Sequence, residues 1–235
     1  MNILTQIVPR RGINDEGKGK KFALHKLIAA ATTEYVWLQD DDVSFPQDFA
    51  VMADEIAPLL GEADLYILPL QMAKGTSLLQ QLQGAEYAAI QQLTMETAMH
   101  NHPIMCSGAN MIVRRDKWLE SYADLHPELA SGDDMFLLES FKRRGLRVAV
   151  IDDSRFCATI APVASWRAFF RQRMRWAGKA PHYTDKDIIL CGMVITIANL
   201  LQIVCPAVLL IKFPVGVCLF CWQIYCKWCV RCFWW

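Results

Sequence analysis

Three consecutive carboxylates, Asp40, Asp41 and Asp42, are the side chains in this sequence best suited to chemistry. They follow Gln39 and an apolar, β-prone run, Tyr35–Leu38. Because side chains alternate along an extended segment, we expect Asp40 and Asp42 to point the same way and Asp41 to point the other way. Two carboxylates on one face suit a hard divalent ion such as Mg²⁺ or Mn²⁺, which also takes phosphate oxygens of a substrate. A solvated acidic turn is the simpler interpretation, and the isolated motif leaves both open.

A second acidic pair, Asp133 and Asp134, stands at the start of a predicted helix. Ser131 or Asp133 is a candidate N-cap, basic residues fill the last turn, and Gly145 is a typical C′ residue. The simpler interpretation of the pair is compensation of the helix dipole, worth about 0.3 to 1 kcal/mol. The alternative is a general base, since an ionised carboxylate at a strand–helix junction can take a proton from an attacking hydroxyl.

An alternation of helices and strands would position both groups of acids. Leu24, Leu27, Ile28 and Ala31 are spaced as the buried face of a helix. The elements predicted after it are strand 35–39, a helix from about Pro46 to Leu60, strand 65–70, a helix over 77–99 interrupted or kinked near Gly84, and strands 146–151 and 156–160. This order predicts an α/β domain with a mostly parallel sheet, which binds ligands at the carboxyl ends of its strands. We assign residues 1–164 to this domain.

A basic helix with several aromatic residues is predicted after Pro162. Between Arg167 and Asp187 the chain carries six Lys or Arg residues and two Asp residues. Trp and Phe side chains of such a helix can enter the acyl boundary of a membrane while Arg stays near the headgroups. We therefore assign residues 165–187 to an amphipathic interfacial helix, for which a simple anchor is the plainest role. Positive charge beside a span places the preceding domain on the cytoplasmic side.

Hydrophobic residues make up 54% of the chain, and the excess lies at the C-terminal end. Ile188 to Ile211 is a stretch of 24 residues without a formal charge, and about 20 suffice to cross a bilayer. A second apolar run, Phe213 to Cys226, has 14 residues and is short for a full span. We therefore expect one or two transmembrane helices within residues 188–235 and an integral protein of the cell membrane.

Charge and cysteine content argue against several classes of protein. The formal net charge is zero, so nucleic acid is not an expected partner. The spacings Cys218-x-x-Cys221 and Cys226-x-x-Cys229 would suit zinc or redox chemistry, but their apolar surroundings favour burial in a membrane. The first residues lack the basic and apolar segments of a secretory signal peptide.

Three motifs occur in a fixed order, with a fourth ahead of them and an apolar span after them. This order resembles the membrane-anchored family 2 glycosyltransferases of the cellulose synthase, hyaluronan synthase and ceramide glucosyltransferase type. Their pattern is Asp-x-Asp, an acidic pair that ends in the base, and Gln-x-x-Arg-Trp. The matching residues here are Gly19-Lys20-x-x-Ala23-Leu24, Asp40-x-Asp42, Asp133-Asp134 and Gln172-x-x-Arg175-Trp176.

The resemblance implies a GT-A-like fold and an inverting transfer of a sugar from a nucleotide diphosphate sugar to a lipid-linked or polysaccharide acceptor. Asp40 and Asp42 would hold Mg²⁺ or Mn²⁺ on the diphosphate, with Asp41 beside them. Asp134 would deprotonate the acceptor hydroxyl, with Asp133 as the first acid of the pair.

The resemblance also assigns roles to the two remaining motifs. Gln172, Arg175 and Trp176 would contact the acceptor and the diphosphate, since the Arg fork suits phosphate and an indole face suits a sugar ring. Lys20 would assist in binding the nucleotide.

Several features depart from the family pattern. Fewer than twenty residues precede Gly19, so the first βαβ unit of the nucleotide site is expected to be missing or severely shortened. His25 replaces the usual Asn, and Asp133 replaces the usual Glu. The chain is therefore expected to be a fragment, or to be shortened at both ends. The alternatives are a catalytically inactive membrane partner and a Mg²⁺-dependent phosphohydrolase, which would leave the third motif and the span unexplained.

Overall fold

The computed structural model describes residues 4–7, 19–129 and 131–212. The chain divides into two compact units, Met1–Thr184 and Asp185–Trp235. The second apolar run and the paired cysteines beyond residue 212 lie outside the described residues.

Strands and helices alternate along the first unit. Its described strands are β1 Leu4–Ile7, β2 Tyr35–Gln39, β3 Val43–Ser44, β4 Leu65–Ile67, β5 Leu70–Met72, β6 Asn110–Arg114, β7 Val148–Val150 and β8 Ala158–Ile160. Its described α-helices are α1 Gly19–Ala30, α2 Phe49–Ile56, α3 Leu78–Met99, α4 Arg115–Glu120, α5 Asp133–Arg143 and α6 Trp166–Ala177. The predicted α/β alternation is therefore confirmed.

These strands form two sheets. The larger has the order β1-β2-β6-β4-β7, and the smaller has the order β3-β8-β5. In the larger sheet β6 is antiparallel to both of its neighbours, whereas β1 pairs in parallel with β2 and β4 pairs in parallel with β7. Four of its five strands therefore run in one direction, as predicted for a mostly parallel sheet.

Strand β2 is packed on both faces and carries the acidic turn at its end. Val36 and Leu38 face a hydrophobic cluster with α1 and α5, while Tyr35 and Trp37 face a second cluster with α2. Trp37 Nε1 also donates a 2.8 Å hydrogen bond to Asn110 Oδ1 on β6. Burial on both faces explains why the run is continuously apolar, and it fixes the point at which the acidic turn leaves the sheet.

Helix α1 differs from the prediction in its buried face. Leu24 and Ile28 are buried as expected, but Leu27 is 43% exposed. Lys21 takes the third buried position, and its ammonium donates hydrogen bonds to two backbone carbonyl oxygens. A buried lysine is rare unless its donors are satisfied, and this pairing depends on residues far away in the chain.

Three further predictions about elements need correction. β1 was not predicted, yet it pairs in parallel with β2, so a short βαβ unit, β1-α1-β2, precedes the acidic turn. α2 begins at Phe49, with Asp48 as its N-cap, and not at Pro46, which leaves the ring of Pro46 outside the helix. α3 continues through Gly84, where an interruption was considered. A glycine weakens a helix by about 1 kcal/mol, which the packing of a long helix outweighs.

The described part of the second unit is one helix, α7, Lys186–Lys212, which contains the stretch Ile188–Ile211. Asp185 Oδ1 accepts hydrogen bonds of 3.0 Å from the backbone N–H groups of Asp187 and Ile188, as an N-cap side chain does. Within the described residues, no helix meets the length and hydropathy that a membrane span requires.

Candidate active site

A lysine from the first turn of α1 meets carboxylates from two other elements. Lys20 Nζ lies 2.7 Å from Asp40 Oδ1, at the end of β2, and 3.5 Å from Asp133 Oδ2, at the start of α5. Asp133 is buried, whereas about a third of the Lys20 and Asp40 side chains is exposed. The structure therefore brings together three predicted site residues that are far apart in the chain.

Asp134 lies beside this cluster and is held by backbone donors. Its Oδ1 accepts a 2.8 Å hydrogen bond from the Met135 N–H, and its Oδ2 accepts one of 3.3 Å from the Gly108 N–H. A Cβ at Gly108 would lie 3.3 Å from Asp133 Oδ2 and 3.7 Å from Asp134 Cβ. The glycine therefore allows the loop before β6 to approach both acids.

The start of α5 depends on Gly132. This residue is the N-cap and has a φ of 93°, which residues with a Cβ rarely adopt. The expectation that Ser131 or Asp133 would be the N-cap is therefore wrong, because Asp133 is already the first helical residue and its carboxylate pairs with Lys20. A Cβ at Gly132 would also lie 3.0 Å from Lys179 Cδ, so the glycine makes room for that side chain.

Charges around the acidic pair act in opposite directions on its titration. Burial and the neighbouring Asp133 carboxylate raise the pKa of Asp134, and the charges of Lys179 and Lys20 oppose this rise without cancelling it. Burial lowers the pKa of Lys20, but the three surrounding carboxylates outweigh burial and hold that pKa above its ordinary value. The site thus combines a carboxylate that accepts protons more readily than an ordinary Asp with a lysine that stays charged.

Two weakly acidic groups near Asp134 remain protonated at neutral pH. Cys106 Sγ lies 3.2 Å from the backbone carbonyl oxygen of Asp134, and burial, with the Asp134 charge second, raises the pKa of its thiol. Burial and then Asp134 also raise the pKa of Tyr183. Neither group therefore adds negative charge to a region that already holds several carboxylates.

Asp41 and Asp42 follow Asp40 but do not continue the strand. β2 ends at Gln39, and both residues lie in an exposed turn before β3. The alternation that would put Asp40 and Asp42 on one face therefore does not apply to them. No group of three or more His, Cys, Asp or Glu side chains in the described ranges is placed to hold a metal ion. Asp40 and Asp42 offer carboxylate oxygens, the ligand type that Mg²⁺ and Mn²⁺ prefer.

The third motif lies on α6. Gln172 is half-buried, Arg175 is exposed, and Trp176 is 38% exposed. Among the residues that the structure describes, no hydrogen bond or ion pair joins these three side chains to Lys20 or to the acids around it. The structure therefore brings Lys20, Asp40, Asp133 and Asp134 into one cluster and, in the part of the chain that it describes, shows no such bond from the third motif to it.

Arg173, which occupies a variable position of the third motif, anchors α6 to α3. It forms an ion pair with Glu86, and its Cζ lies 4.6 Å from the Phe169 ring centre and 4.5 Å from the Trp176 ring centre. Gln83, one turn before Glu86, exchanges two 3.0 Å hydrogen bonds with the backbone just before α6. α3 thus holds both the start and the middle of the helix that carries the motif.

The segment after α6 is held against α5. The backbone N–H and the hydroxyl of Thr184 both donate to Glu139 Oε1. Lys179 precedes this contact and is one of the two cations that lower the pKa of Asp134. Sequence reasoning missed Arg173, Glu139 and Lys179, because no period or motif marks them. The one available signal was a glutamate inside the apolar run of α5.

The chain matches the family described as glycosyltransferase like family 2 over residues 4–179. This range contains β1 to β8 and α1 to α6, and with them the cluster around Lys20. No curated protein matches the chain in sequence.

Several solved structures are similar to the chain at low identity. S. aureus TarS 1-349 in complex with UDP has 16% identity and a TM-score of 0.41, and the match covers 69% of this chain and 45% of TarS. Glucosyl-3-phosphoglycerate synthase from Mycobacterium tuberculosis in complex with phosphoglyceric acid has 18% identity and a TM-score of 0.36, with 65% and 50% covered. Mannosyl-3-phosphoglycerate synthase from Rubrobacter xylanophilus has 10% identity and a TM-score of 0.36, with 68% and 49% covered. The chain spans about half the length of these structures.

The family match extends over most of the 235 residues and agrees with the mixed α/β architecture and the mostly parallel sheet. The expected GT-A-like fold is therefore confirmed for the first unit. The chain belongs to the glycosyltransferase like family 2.

Proposed function

We propose that this chain transfers a sugar, with inversion, from a nucleotide diphosphate sugar to a lipid-linked or polysaccharide acceptor. The observation that carries the proposal is the convergence of Lys20, Asp40, Asp133 and Asp134 at the end of β2 in a chain of this family. Ligands of such sheets bind at the carboxyl ends of the strands, which is where the cluster lies.

Asp134 is the proposed general base. Its raised pKa suits a group that takes the proton of an acceptor hydroxyl while the hydroxyl oxygen attacks the anomeric carbon. The bond from that carbon to the diphosphate breaks in the same step, so the configuration inverts and the nucleotide diphosphate leaves. The backbone N–H of Gly108 and that of Met135 hold the carboxylate in place for this transfer.

The diphosphate would be bound at the acidic turn. Asp40 and Asp42, with Asp41 beside them, are the proposed ligands of Mg²⁺ or Mn²⁺, which when bound neutralises charge on the departing diphosphate. Lys20 offers a second positive charge at the same place, and its raised pKa keeps that charge at neutral pH. Both features support the binding of a donor that carries a diphosphate.

The third motif is proposed to complete the site when substrates bind. Arg175 and Trp176 are exposed and therefore accessible to a diphosphate and to a sugar, and Gln172 lies on the same helix. A guanidinium fork matches phosphate oxygens, and an indole face matches the apolar face of a sugar ring. Arg173 supports this arrangement because it stacks on Trp176 and ties α6 to α3.

A membrane location at the cytoplasmic face of the cell membrane is part of the proposal. Trp166, Phe170 and Met174 follow one another at intervals of four residues along α6 and are 52%, 60% and 73% exposed. Exposed arginines such as Arg167 and Arg171 adjoin them. Such a stripe suits the interface of an anionic bilayer. The proposal of a span at Ile188–Ile211 rests on the sequence, in which these 24 residues carry no formal charge.

The experiment uses membranes that contain the full chain, a panel of nucleotide diphosphate sugars, and Mg²⁺ or Mn²⁺. We expect release of a nucleotide diphosphate from one donor, and we expect Asp134→Asn to reduce it by a factor of about 100 or more. Asp116→Asn, which changes an exposed acid on α4, is the matched control and should be as active as the original chain. Undiminished turnover by Asp134→Asn would exclude Asp134 as the base.

Binding measurements distinguish transfer from the two alternatives. An inactive partner would bind no nucleotide diphosphate in calorimetry at millimolar concentration, whereas the proposed enzyme binds one. A phosphohydrolase would release phosphate from simple phosphate esters, whereas the proposed enzyme leaves those esters intact.

A further inference from the structure

The ammonium of Lys20 occupies the place at which a cation would neutralise the acidic cluster. Its Nζ is bonded to Asp40 Oδ1 at 2.7 Å and lies 3.5 Å from Asp133 Oδ2. A Cβ at Gly108 would be 3.8 Å from the same Nζ, so the loop before β6 also lies close to the ammonium. The first of the two proposed metal ligands therefore already carries a positive partner.

An ammonium and a divalent ion compete at such a carboxylate. Both seek its oxygen atoms, and two positive charges within a few ångströms repel each other strongly in a partly buried site. Lys20 is a flexible side chain of which about a third is exposed, so it can swing away from Asp40 without rearranging α1. The buried carboxylate of Asp133 also lies near the ammonium, so Lys20 keeps a negatively charged neighbour after it leaves Asp40.

We propose that Lys20 and the divalent ion are alternative occupants of Asp40, so that Lys20 leaves Asp40 when the ion binds and turns to the phosphate oxygens of the donor. The inference rests on the proposed function, since it takes Asp40 as a metal ligand. Lys20 then compensates Asp40 in the empty enzyme and contacts the diphosphate in the loaded enzyme. Lys20 thereby offsets the repulsion among the neighbouring carboxylates while the metal ion is absent.

The test measures the binding of Mn²⁺ alone to the full chain in detergent, from the loss of the electron paramagnetic resonance signal of the free ion. Lys20→Met removes the competing charge and should tighten Mn²⁺ binding about tenfold, within the range expected for a partly buried charge pair. Lys20→Arg keeps a positive charge that can pair with the Asp40 carboxylate, so it should bind Mn²⁺ no more tightly than the original chain. Lys26→Met is the matched control, because Lys26 is an exposed lysine on the same helix.

A second measurement follows Lys20 itself. Acetic anhydride labelling with mass spectrometry reports how accessible each lysine amine is in the folded chain. Saturating Mn²⁺ should increase the labelling of Lys20 at least twofold and leave the labelling of Lys26 unchanged. This readout does not need a variant, so it remains decisive where Lys20→Met fails to fold.

The possible outcomes separate the inference from the function on which it rests. Equal or weaker Mn²⁺ binding by Lys20→Met, or labelling of Lys20 that Mn²⁺ does not change, overturns the competition while the metal site stands. Absence of Mn²⁺ binding in the original chain and in every variant overturns the competition for the ion, whereas a requirement of donor turnover for Mn²⁺ tests the proposed metal site separately. Binding that Asp40→Asn abolishes and Lys20→Met strengthens supports both.

Discussion

Glu86 on α3 and Arg173 on α6 form the ion pair that fixes the helix of the third motif. Burial raises the pKa of Glu86 and lowers that of Arg173, and in each case the partner's charge opposes the shift. Arg173 also lies over the rings of Phe169 and Trp176. The pair therefore connects the position of Trp176 to a helix that lies outside all of the motifs.

Glu86→Gln should loosen α6 and weaken any function of Trp176. The change leaves the Arg173 guanidinium partly buried without its carboxylate, which costs about 1.5 to 3 kcal/mol as a lost hydrogen bond to a charged group. We expect a lower free energy of unfolding in urea and faster proteolysis within 166–177. Glu96→Gln, at an exposed position of the same helix, should change neither.

The double variant Glu86→Gln, Arg173→Met tests the cause of this loss. It removes both charges, so it should recover part of the stability lost in Glu86→Gln. If the double variant loses as much free energy of unfolding as the two single variants lose together, or more, an ion pair is not the source of the loss.

The activity should fall on the acid side because Asp134 must be ionised to act as a base. Because the pKa of Asp134 is raised, kcat/KM should begin to fall at a pH above the ordinary pKa of an aspartate, which is about 3.9. Lys179→Met removes a charge that lowers this pKa, so the limb should move to higher pH, whereas Lys26→Met should leave it in place. A limb that moves to lower pH in Lys179→Met would contradict the assignment.

The contact between Thr184 and Glu139 should keep Lys179 near the acidic pair. Thr184→Val removes the hydroxyl that donates to Glu139 but keeps the backbone donor, so we expect a loss of about 1 kcal/mol in the free energy of unfolding. Amide hydrogen exchange should become faster over 178–184. Thr184→Ser retains a hydroxyl at the same position and should behave as the original chain, and equal exchange in all three proteins would rule out this role.

The sequence was sufficient to predict the parts of the fold that local rules govern. Tyr35–Gln39 is a strand because its run is apolar and β-prone, and α5 ends before Gly145 because glycine adopts a φ of 66° without strain. The resemblance selected Lys20, Asp40, Asp133 and Asp134, which the structure brings into one cluster.

What the sequence did not predict depends on partners that are distant in the chain. Lys21 can be buried because its ammonium donates hydrogen bonds to two backbone carbonyl oxygens after α4. No pattern within α1 indicates that these acceptors are there. Arg173 anchors α6 through its bond to Glu86, and because Glu86 lies 87 positions away in the chain, no local pattern marks the pair. Asp41 and Asp42 were assigned sides by strand alternation, but β2 ends at Gln39, and no residue type forced the strand to continue.

Gly108→Ala should disable the site without unfolding the protein. The added Cβ would lie 3.3 Å from Asp133 Oδ2, so the Asp133 carboxylate or the loop that carries residue 108 must shift by a few tenths of an ångström. Such a shift weakens the hydrogen bond from the Gly108 N–H to Asp134 and misplaces the proposed base, so we expect a loss of about tenfold to a hundredfold in kcat. Gly84→Ala is the matched control, since nothing lies within 4 Å of its Cβ and alanine stabilises a helix by up to about 1 kcal/mol. Full activity of Gly108→Ala, with a thermal unfolding curve like that of the original chain, would mean that the position of Asp134 does not limit the reaction.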